Sequence, residues 1–492
     1  MGTGEVVEEE PVSFVQRLRE LAAEEPDAPV YTHVALDGGE RVMTTVELDR
    51  RSSQLAGALA ARGLGFGDRL ALRLPNSPEL LMAAFAGWKV GATPIPVRWD
   101  LPDWELEQLR QVIGARVELG EDDLAWIDAT ADAEVPELPD VVSERMHGIC
   151  SSGSTGTPKI IVSALPALCL EHFSTPMMAQ WRPVERPQIV LVLAPMYHVN
   201  AFATVHNLLN RDRLVVLERF DAARAVDAIE QRRVTAFTAT PTMLQRIADL
   251  PGIEQRDLSS IDWILQGAAP MPPPLVHRWA DLVGAERILM AYGMTEAIGI
   301  TALRGDEWLA HEGSVGRGQR GTEARILDEA GNDLPVGEIG EIYLRSPVHG
   351  GSDYLGDAPQ LRTTEDGFQT VGDMGYLDED GYLYVVDRRV DMIVTGGANV
   401  FPAQVEEALI DHPQIADVVV VGLKDEQWGR RVHALVEPAD AADPPTTDEV
   451  IAYAKSRLAA YKVPKTVELV DTMPRSAATK VNRGRLVEER GG

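Results

Sequence analysis

The first 240 residues alternate between a helical and a strand period, and nothing else in the chain constrains its fold as much. TVELDRRSSQLAGALAARG (45–63) spaces its apolar residues as an amphipathic helix that ends at a glycine. RLALRL (69–74) then reads as a strand, PELLMAAFAGWKVG (78–91) as a helix and TPIPV (93–97) as a buried strand. The pattern returns in QIVLVLAP (188–195), DRLVVLE (212–218), AARAVDAIEQRR (222–233) and TAFTATP (235–241). Strand–helix–strand units of this length predict an α/β fold of parallel sheets with helices on both faces. From about residue 320 the texture changes. EARILDEAGNDLPVGEIGEIYLRS (323–346) and GYLDEDGYLYVVDRR (375–389) predict hairpins, a small β-barrel-like region. Beyond residue 390, VEEALIDHP (405–413) and TTDEVIAYAKSRLAAY (446–461) read as helices, and ADVVVVGL (416–423) and RVHALVEPA (431–439) as strands. These make a small α+β C-terminal domain. The expected division is 1–387 and 388–492.

At 492 residues the chain is too long for one ordinary domain. Its net charge of −30 argues against a nucleic-acid partner, which requires a basic footprint, and against an anionic membrane surface. A polyphosphate ligand would need local cations or a metal to overcome that field. Cys150 and Cys169 form neither a disulfide framework nor a metal spacing, and are expected to be small buried hydrophobes in a reducing compartment. The acidic N-terminus has no apolar signal region, and no run is long enough to span a membrane. A cytoplasmic location is expected; the oligomeric state is not legible, with a homodimer left open.

In this lysine-poor chain, SSGSTGTPK (151–159) ends a run of hydroxyls and glycines on a lysine. Such a loop is either a solvated turn or a phosphate cradle, in which backbone N–H groups and hydroxyls donate and the lysine supplies counter-charge. The spacing is not that of a Walker A loop. Other polar loops fall at predicted strand ends, where open α/β sheets bind ligands. APMYHVNAF (194–202) carries His198, and QGAAP (266–270) is a small-residue turn. AYGMTEAIG (291–299) offers Thr295 as a donor and Glu296 as a hard-cation ligand. Asp373, between glycines, can accept from two ribose hydroxyls. Taken singly, each has an ordinary structural explanation; together and in this order they do not.

The ordered set SSGSTGTPK, YGMTE, GDMGYLDEDGYLYVVDR, GGANVFPAQVEEAL and PRSAATK resembles the adenylate-forming superfamily: acyl- and aryl-CoA synthetases, peptide-synthetase adenylation domains and beetle luciferases. The likeness runs from about residue 15 to 486. It implies attack of a carboxylate on the α-phosphorus of ATP, release of pyrophosphate, and thiolysis of the acyl-AMP after the small domain rotates. Positioning, Mg²⁺ and lysine would carry the adenylation. By resemblance, Ser151, Ser152, Gly153, Ser154, Thr155, Gly156 and Lys159 hold the β,γ-phosphates. Thr295 touches the phosphates and Glu296 ligates Mg²⁺. Gly267, Ala268, Ala269 and Tyr292 frame adenine, and Asp373 and Arg388 hold ribose. Lys480 bridges the reacting carboxylate and the nucleotide, and Gly396 and Gly397 line the thiol tunnel. His198, Val199, Ala201, Phe202, Ile298 and Gly299 face the acyl group. APMYHVNAF has no acid to pair an α-ammonium, so the resemblance is to the CoA ligases, with an apolar acyl or aryl acid expected. The implied cofactors and substrates are ATP, Mg²⁺ and coenzyme A, with a carrier-protein phosphopantetheine as the other acceptor. The chain departs from the family pattern at Ile160, at Thr479 and at the hinge, Val390. These changes leave open a half-reaction specialist or an acyl-adenylate binder.

Overall fold

The computed structural model describes residues 11–138, 140–151, 159–348, 350–356, 360–388, 391–395, 398–425, 427–475 and 481–491. Contacts divide the chain into two compact units. One holds residues 1–151, 158–322 and 346–360; the other holds 152–157, 323–345 and 361–492.

In the first unit the predicted alternation becomes a nine-stranded sheet. Its middle is parallel: Ile288–Gly293, Trp263–Gln266, Ala236–Ala239, Ile189–Val192, Arg213–Leu217 and Pro29–Val34 lie side by side in that order. Antiparallel strands close both edges, Ile300–Arg304 and Arg317–Gly318 on one side and Glu40–Thr44 on the other. Central strands such as Arg213–Leu217 are buried almost throughout, as expected when helices cover both faces. Helix Pro78–Lys89 is buried along its whole length and carries the core residues Phe85 and Trp88. Its one basic residue, Lys89, is 0% exposed. The ammonium contacts Asp49 Oδ1 at 2.5 Å and Ser53 Oγ at 2.7 Å on the neighbouring helix, and burial lowers its pKa to about 8.

Local chemistry sets most boundaries. Helix Thr45–Ala61 starts where Thr44 Oγ1 accepts from the Glu47 N–H, and Gly63 takes the left-handed φ of 85° just beyond its end. The strand expected over 235–241 stops at Ala239 instead. Thr240 Oγ1 accepts from the Met243 N–H, and Pro241 opens a helix, so capping wins over the strand-like composition. The expected helix at 405–413 likewise begins earlier, at Pro402, and ends at Ile410. Two three-stranded sheets complete this unit. One is parallel, from Arg69–Arg73, Thr93–Pro96 and Val117–Gly120; the other is antiparallel, from Gly148–Ser151, Lys159–Ser163 and Ser352–Leu355.

The second unit contains the predicted hairpins. Glu323–Leu327 pairs with Gly340–Arg345, and Asp373–Leu377 with Leu383–Arg388, within one six-stranded sheet. A five-stranded sheet follows, built on the long hairpin Ile415–Asp425/Gly429–Pro438 with Thr466–Leu469 added in parallel. Helix Thr447–Arg457 opens with a Thr446/Glu449 capping box. Among the described residues, no helix is long and apolar enough to cross a membrane. Cys150 and Cys169 are half-buried, and burial pushes both thiols up to about 12.

Candidate active site

The order of the large sheet gathers the loops. Ile189–Val192, Ala236–Ala239, Trp263–Gln266 and Ile288–Gly293 are consecutive parallel neighbours, so the segments leaving their C-terminal ends fall on one edge. Those segments include 194–202, 267–270 and 294–299, three of the stretches singled out from sequence.

Each is held by local bonds. His198 precedes helix Val199–Phe202, and its ring lies 4.5 Å from that of Tyr197. Ala201 and Phe202 are buried and Val199 is half-buried. In the small-residue turn, Ala268 takes a left-handed φ of 72°, which a residue with a Cβ adopts only when its surroundings impose it. Gln266 imposes it here. Its buried amide Nε2 donates to the Ala269 carbonyl at 2.5 Å and to that of Gly267 at 3.3 Å. A Cβ on Gly267 would meet only the Ala291 carbonyl, at 3.7 Å, although Gly267 itself is buried and exposure begins at Ala268. Tyr292 lies on strand Ile288–Gly293 and is half-buried. Thr295 and Glu296 are the central residues of a turn closed by the Ala297 N–H donating to the Met294 carbonyl at 3.1 Å. Ala297 has φ 52°, and Ile298 and Gly299 then run buried into the next strand.

Glu296 has a partner that the sequence reading missed. Tyr354 Oη donates to Glu296 Oε1 at 2.7 Å, and the Lys159 ammonium lies 5.2 Å from the centre of the same ring. Tyr354 reaches this position because Ser352–Leu355 pairs with Lys159–Ser163, Tyr354 standing opposite Ile161. Burial, then the Glu296 bond and charge, raises the Tyr354 pKa, so the phenol remains a donor. Among the described residues, Glu296 Oε2 has no hydrogen bond, and no group of three or more His, Cys, Asp or Glu could hold a metal. That chemistry suits Mg²⁺, which is commonly bound by one or two carboxylates together with substrate phosphates. Ile160, where the resemblance implies glycine, is 0% exposed and packs in a satellite core with Ile95 and Leu109. Packing thus accounts for that departure, since the chain enters its strand at Lys159.

The remaining candidates stand elsewhere. Asp373 opens a strand of the second unit, is 6% exposed and is the register partner of Arg388. Ser152, Gly153, Ser154, Thr155, Gly156, Val390, Gly396, Gly397, Thr479 and Lys480 lie outside the described residues, as do the side chains of Ser151 and Arg388.

Comparison with known proteins identifies the family. Residues 18–354 match the AMP-binding enzyme family and residues 404–480 its C-terminal domain. The chain belongs to the AMP-binding enzyme family. Within it, the chain falls in the acyl- and aryl-CoA synthetase branch of AMP-forming acid–thiol ligases. A feruloyl-CoA synthase of an Amycolatopsis species is 34% identical over 471 residues, 92% of this chain and 95% of the relative. A fatty acid–[acyl-carrier-protein] ligase of Streptomyces coeruleorubidus is 30% identical over 505 residues, 96% of each chain. The o-succinylbenzoate CoA synthetase of Bacillus subtilis, solved with ATP and magnesium ion, is 27% identical with a TM-score of 0.81, covering 96% of this chain and 98% of that one.

Proposed function

We propose that this AMP-binding enzyme activates a carboxylic acid with ATP and passes the acyl group to the thiol of coenzyme A. The observation that carries this reading is the Lys159–Tyr354–Glu296 constellation, within a chain whose sheet directs three candidate loops to one edge. Lys159 and the hydroxyl loop before it bind the β,γ-phosphates. Thr295 donates to the phosphates, while Glu296, steadied by Tyr354, offers its free oxygen to Mg²⁺. When bound, Mg²⁺ neutralises charge on the phosphates and holds pyrophosphate as a leaving group. The turn pinned by Gln266, with Tyr292, receives adenine, and Asp373 with Arg388 receives ribose. Lys480 stabilises the charge developing as carboxylate oxygen joins the α-phosphorus. Rotation of residues 388–492 then exchanges Lys480 for the Gly396–Gly397 tunnel, through which the thiolate displaces AMP.

His198, Val199, Ala201, Phe202, Ile298 and Gly299 line the acyl side, an apolar and aromatic wall suited to an aryl acid. The likeness to a feruloyl-CoA synthase supports that class. The likeness to a carrier-protein ligase supports a second acceptor, the phosphopantetheine of a carrier protein. Two cysteines, both free, suit a reducing, cytoplasmic setting.

A panel of aryl and acyl acids tests the reading. ATP–pyrophosphate exchange reports adenylation, and thioester formation is followed with coenzyme A and, in parallel, with a phosphopantetheinylated carrier protein. Exchange with at least one acid and a thioester on coenzyme A are expected. Exchange without either thioester would identify a half-reaction enzyme, and no exchange with any acid would refute the ligase.

A further inference from the structure

The parallel strands Ile189–Val192 and Arg213–Leu217 are in register as far as Val192 and Val216. Beyond that point the chain leaves the sheet towards Tyr197 and His198. Neither the Ala194 carbonyl nor the Met196 N–H has a backbone partner among the described residues. The Asn76 side chain serves both. Its Nδ2 donates to the Ala194 carbonyl at 3.1 Å and to the Leu217 carbonyl of the neighbouring strand at 3.0 Å, and its Oδ1 accepts from the Met196 N–H at 2.7 Å. Two carbonyls and one N–H leave the amide a single orientation. It stands between the two strand ends as one extra peptide group would.

Asn76 is itself anchored. It is 5% exposed, and His33 Nε2 lies 3.0 Å from its backbone carbonyl oxygen, so that ring nitrogen is the donor. The next residue, Ser77, caps the buried helix Pro78–Lys89 by accepting from the Leu80 N–H at 3.2 Å. Residue 76 is thus fixed to strand Pro29–Val34 on one side and to a core helix on the other. The backbone bonds of the segment it grips are local. The His198 N–H donates to the Pro195 carbonyl at 3.0 Å, and the His198 carbonyl accepts from the Ala201 and Phe202 N–H groups at 3.1 and 2.9 Å. Those bonds shape the turn without tying it to the sheet. Without the amide, the buried Leu217 carbonyl and Met196 N–H would lose a partner, and a shift of residues 194–198 relieves that cost.

We propose that Asn76 is a positioning residue for the acyl side of the site: its amide stitches the segment carrying Tyr197 and His198 to the edge of the sheet and sets where His198 meets the acid. This rests on the ligase reading above, which places His198 beside the acyl group. Asn76 touches no substrate and acts only through the backbone it holds.

The test takes the best acid of the panel and follows ATP–pyrophosphate exchange in the wild type, Asn76→Ala and Asn76→Asp, varying acid and ATP separately. A small displacement of a positioning group costs up to about 10²-fold, so Asn76→Ala should lose about 10–10²-fold in kcat/KM for the acid. The KM for ATP should stay within about twofold, because the nucleotide-facing turns are held by other residues. Asn76→Asp keeps the acceptor for Met196 and removes both donors, leaving a carboxylate against two carbonyl oxygens, so its loss should be no smaller. Amide hydrogen exchange on the wild type needs no variant to fold. The Met196 amide should exchange at least about 10²-fold slower than in an unstructured peptide. An unprotected Met196 amide overturns the proposal. So does equal loss on the acid and ATP terms, or a lower melting temperature with both terms intact; all three leave the ligase standing. Failure of the wild type to activate any acid overturns both readings.

Discussion

Replacing Tyr354 by Phe removes one hydroxyl from beside Glu296 and leaves the ring next to Lys159. The bond lost is 2.7 Å long and runs from a neutral phenol to a carboxylate. Hydrogen bonds to charged groups contribute about 1.5–3 kcal/mol when desolvated. Both residues here are half-buried, so water recovers part of that, and an effect of about 1–1.5 kcal/mol is expected. At 1.4 kcal/mol per decade this is about 5–12-fold. The loss should fall on the cation, because a loosened Glu296 presents Oε2 less well. The Mg²⁺ concentration for half-maximal ATP–pyrophosphate exchange should therefore rise by about tenfold, with kcat at saturating Mg²⁺ near the wild-type value. Titrating MgCl₂ at fixed ATP, with isothermal calorimetry of ATP binding with and without Mg²⁺, measures both arms. Tyr354→Leu, which also removes the ring from Lys159, should in addition weaken ATP binding without Mg²⁺. An unchanged Mg²⁺ dependence in Tyr354→Phe, with only kcat or the melting temperature altered, would refute the coupling.

Lys480→Ala should slow adenylation by roughly 10²–10³ while sparing thioester formation from supplied acyl-AMP, since the proposed rotation removes the lysine before that step; equal loss in both half-reactions would contradict the exchange of constellations. Val390→Asp should bring the two half-reaction rates closer together if Val390 is the proposed hinge, where a β-branched side chain would bias the rotation. An unchanged ratio, each rate measured separately, would make the valine incidental. Lys89→Met concerns stability. The unfolded lysine titrates near about 10.4 and the folded one near about 8, so between those values the unfolded chain binds more protons and wild-type stability rises with pH, by at most about 3 kcal/mol. Urea melts from about pH 7.5 to 10 should show that rise in the wild type and not in Lys89→Met, and parallel curves would exclude it.

The chain by itself determined the elements and the chemistry of the loops. Apolar periodicity is local, so the helices Thr45–Ala61 and Ala222–Arg232 and the buried strand Arg213–Leu217 were legible within a residue or two. Misplaced boundaries fell where a cap competed with composition, as at Thr240, or where proline opened a helix early, as at Pro402. The small-residue turn at Gly267, the Thr295–Glu296 turn and Asp373 were likewise visible, because turn chemistry and motif order are written in consecutive residues. Only the tertiary structure decided who meets whom. Strand order within the large sheet depends on which faces bury together after long crossovers, and no short window contains that information. Nothing in the residues flanking Gln266, Tyr354 or Asn76 singles them out. Each acquired its place through a partner distant in sequence or a backbone it pins. Glu296 and Tyr354 are 58 residues apart and Asn76 and Ala194 are 118, separations that strand pairing and core packing close and local sequence does not encode.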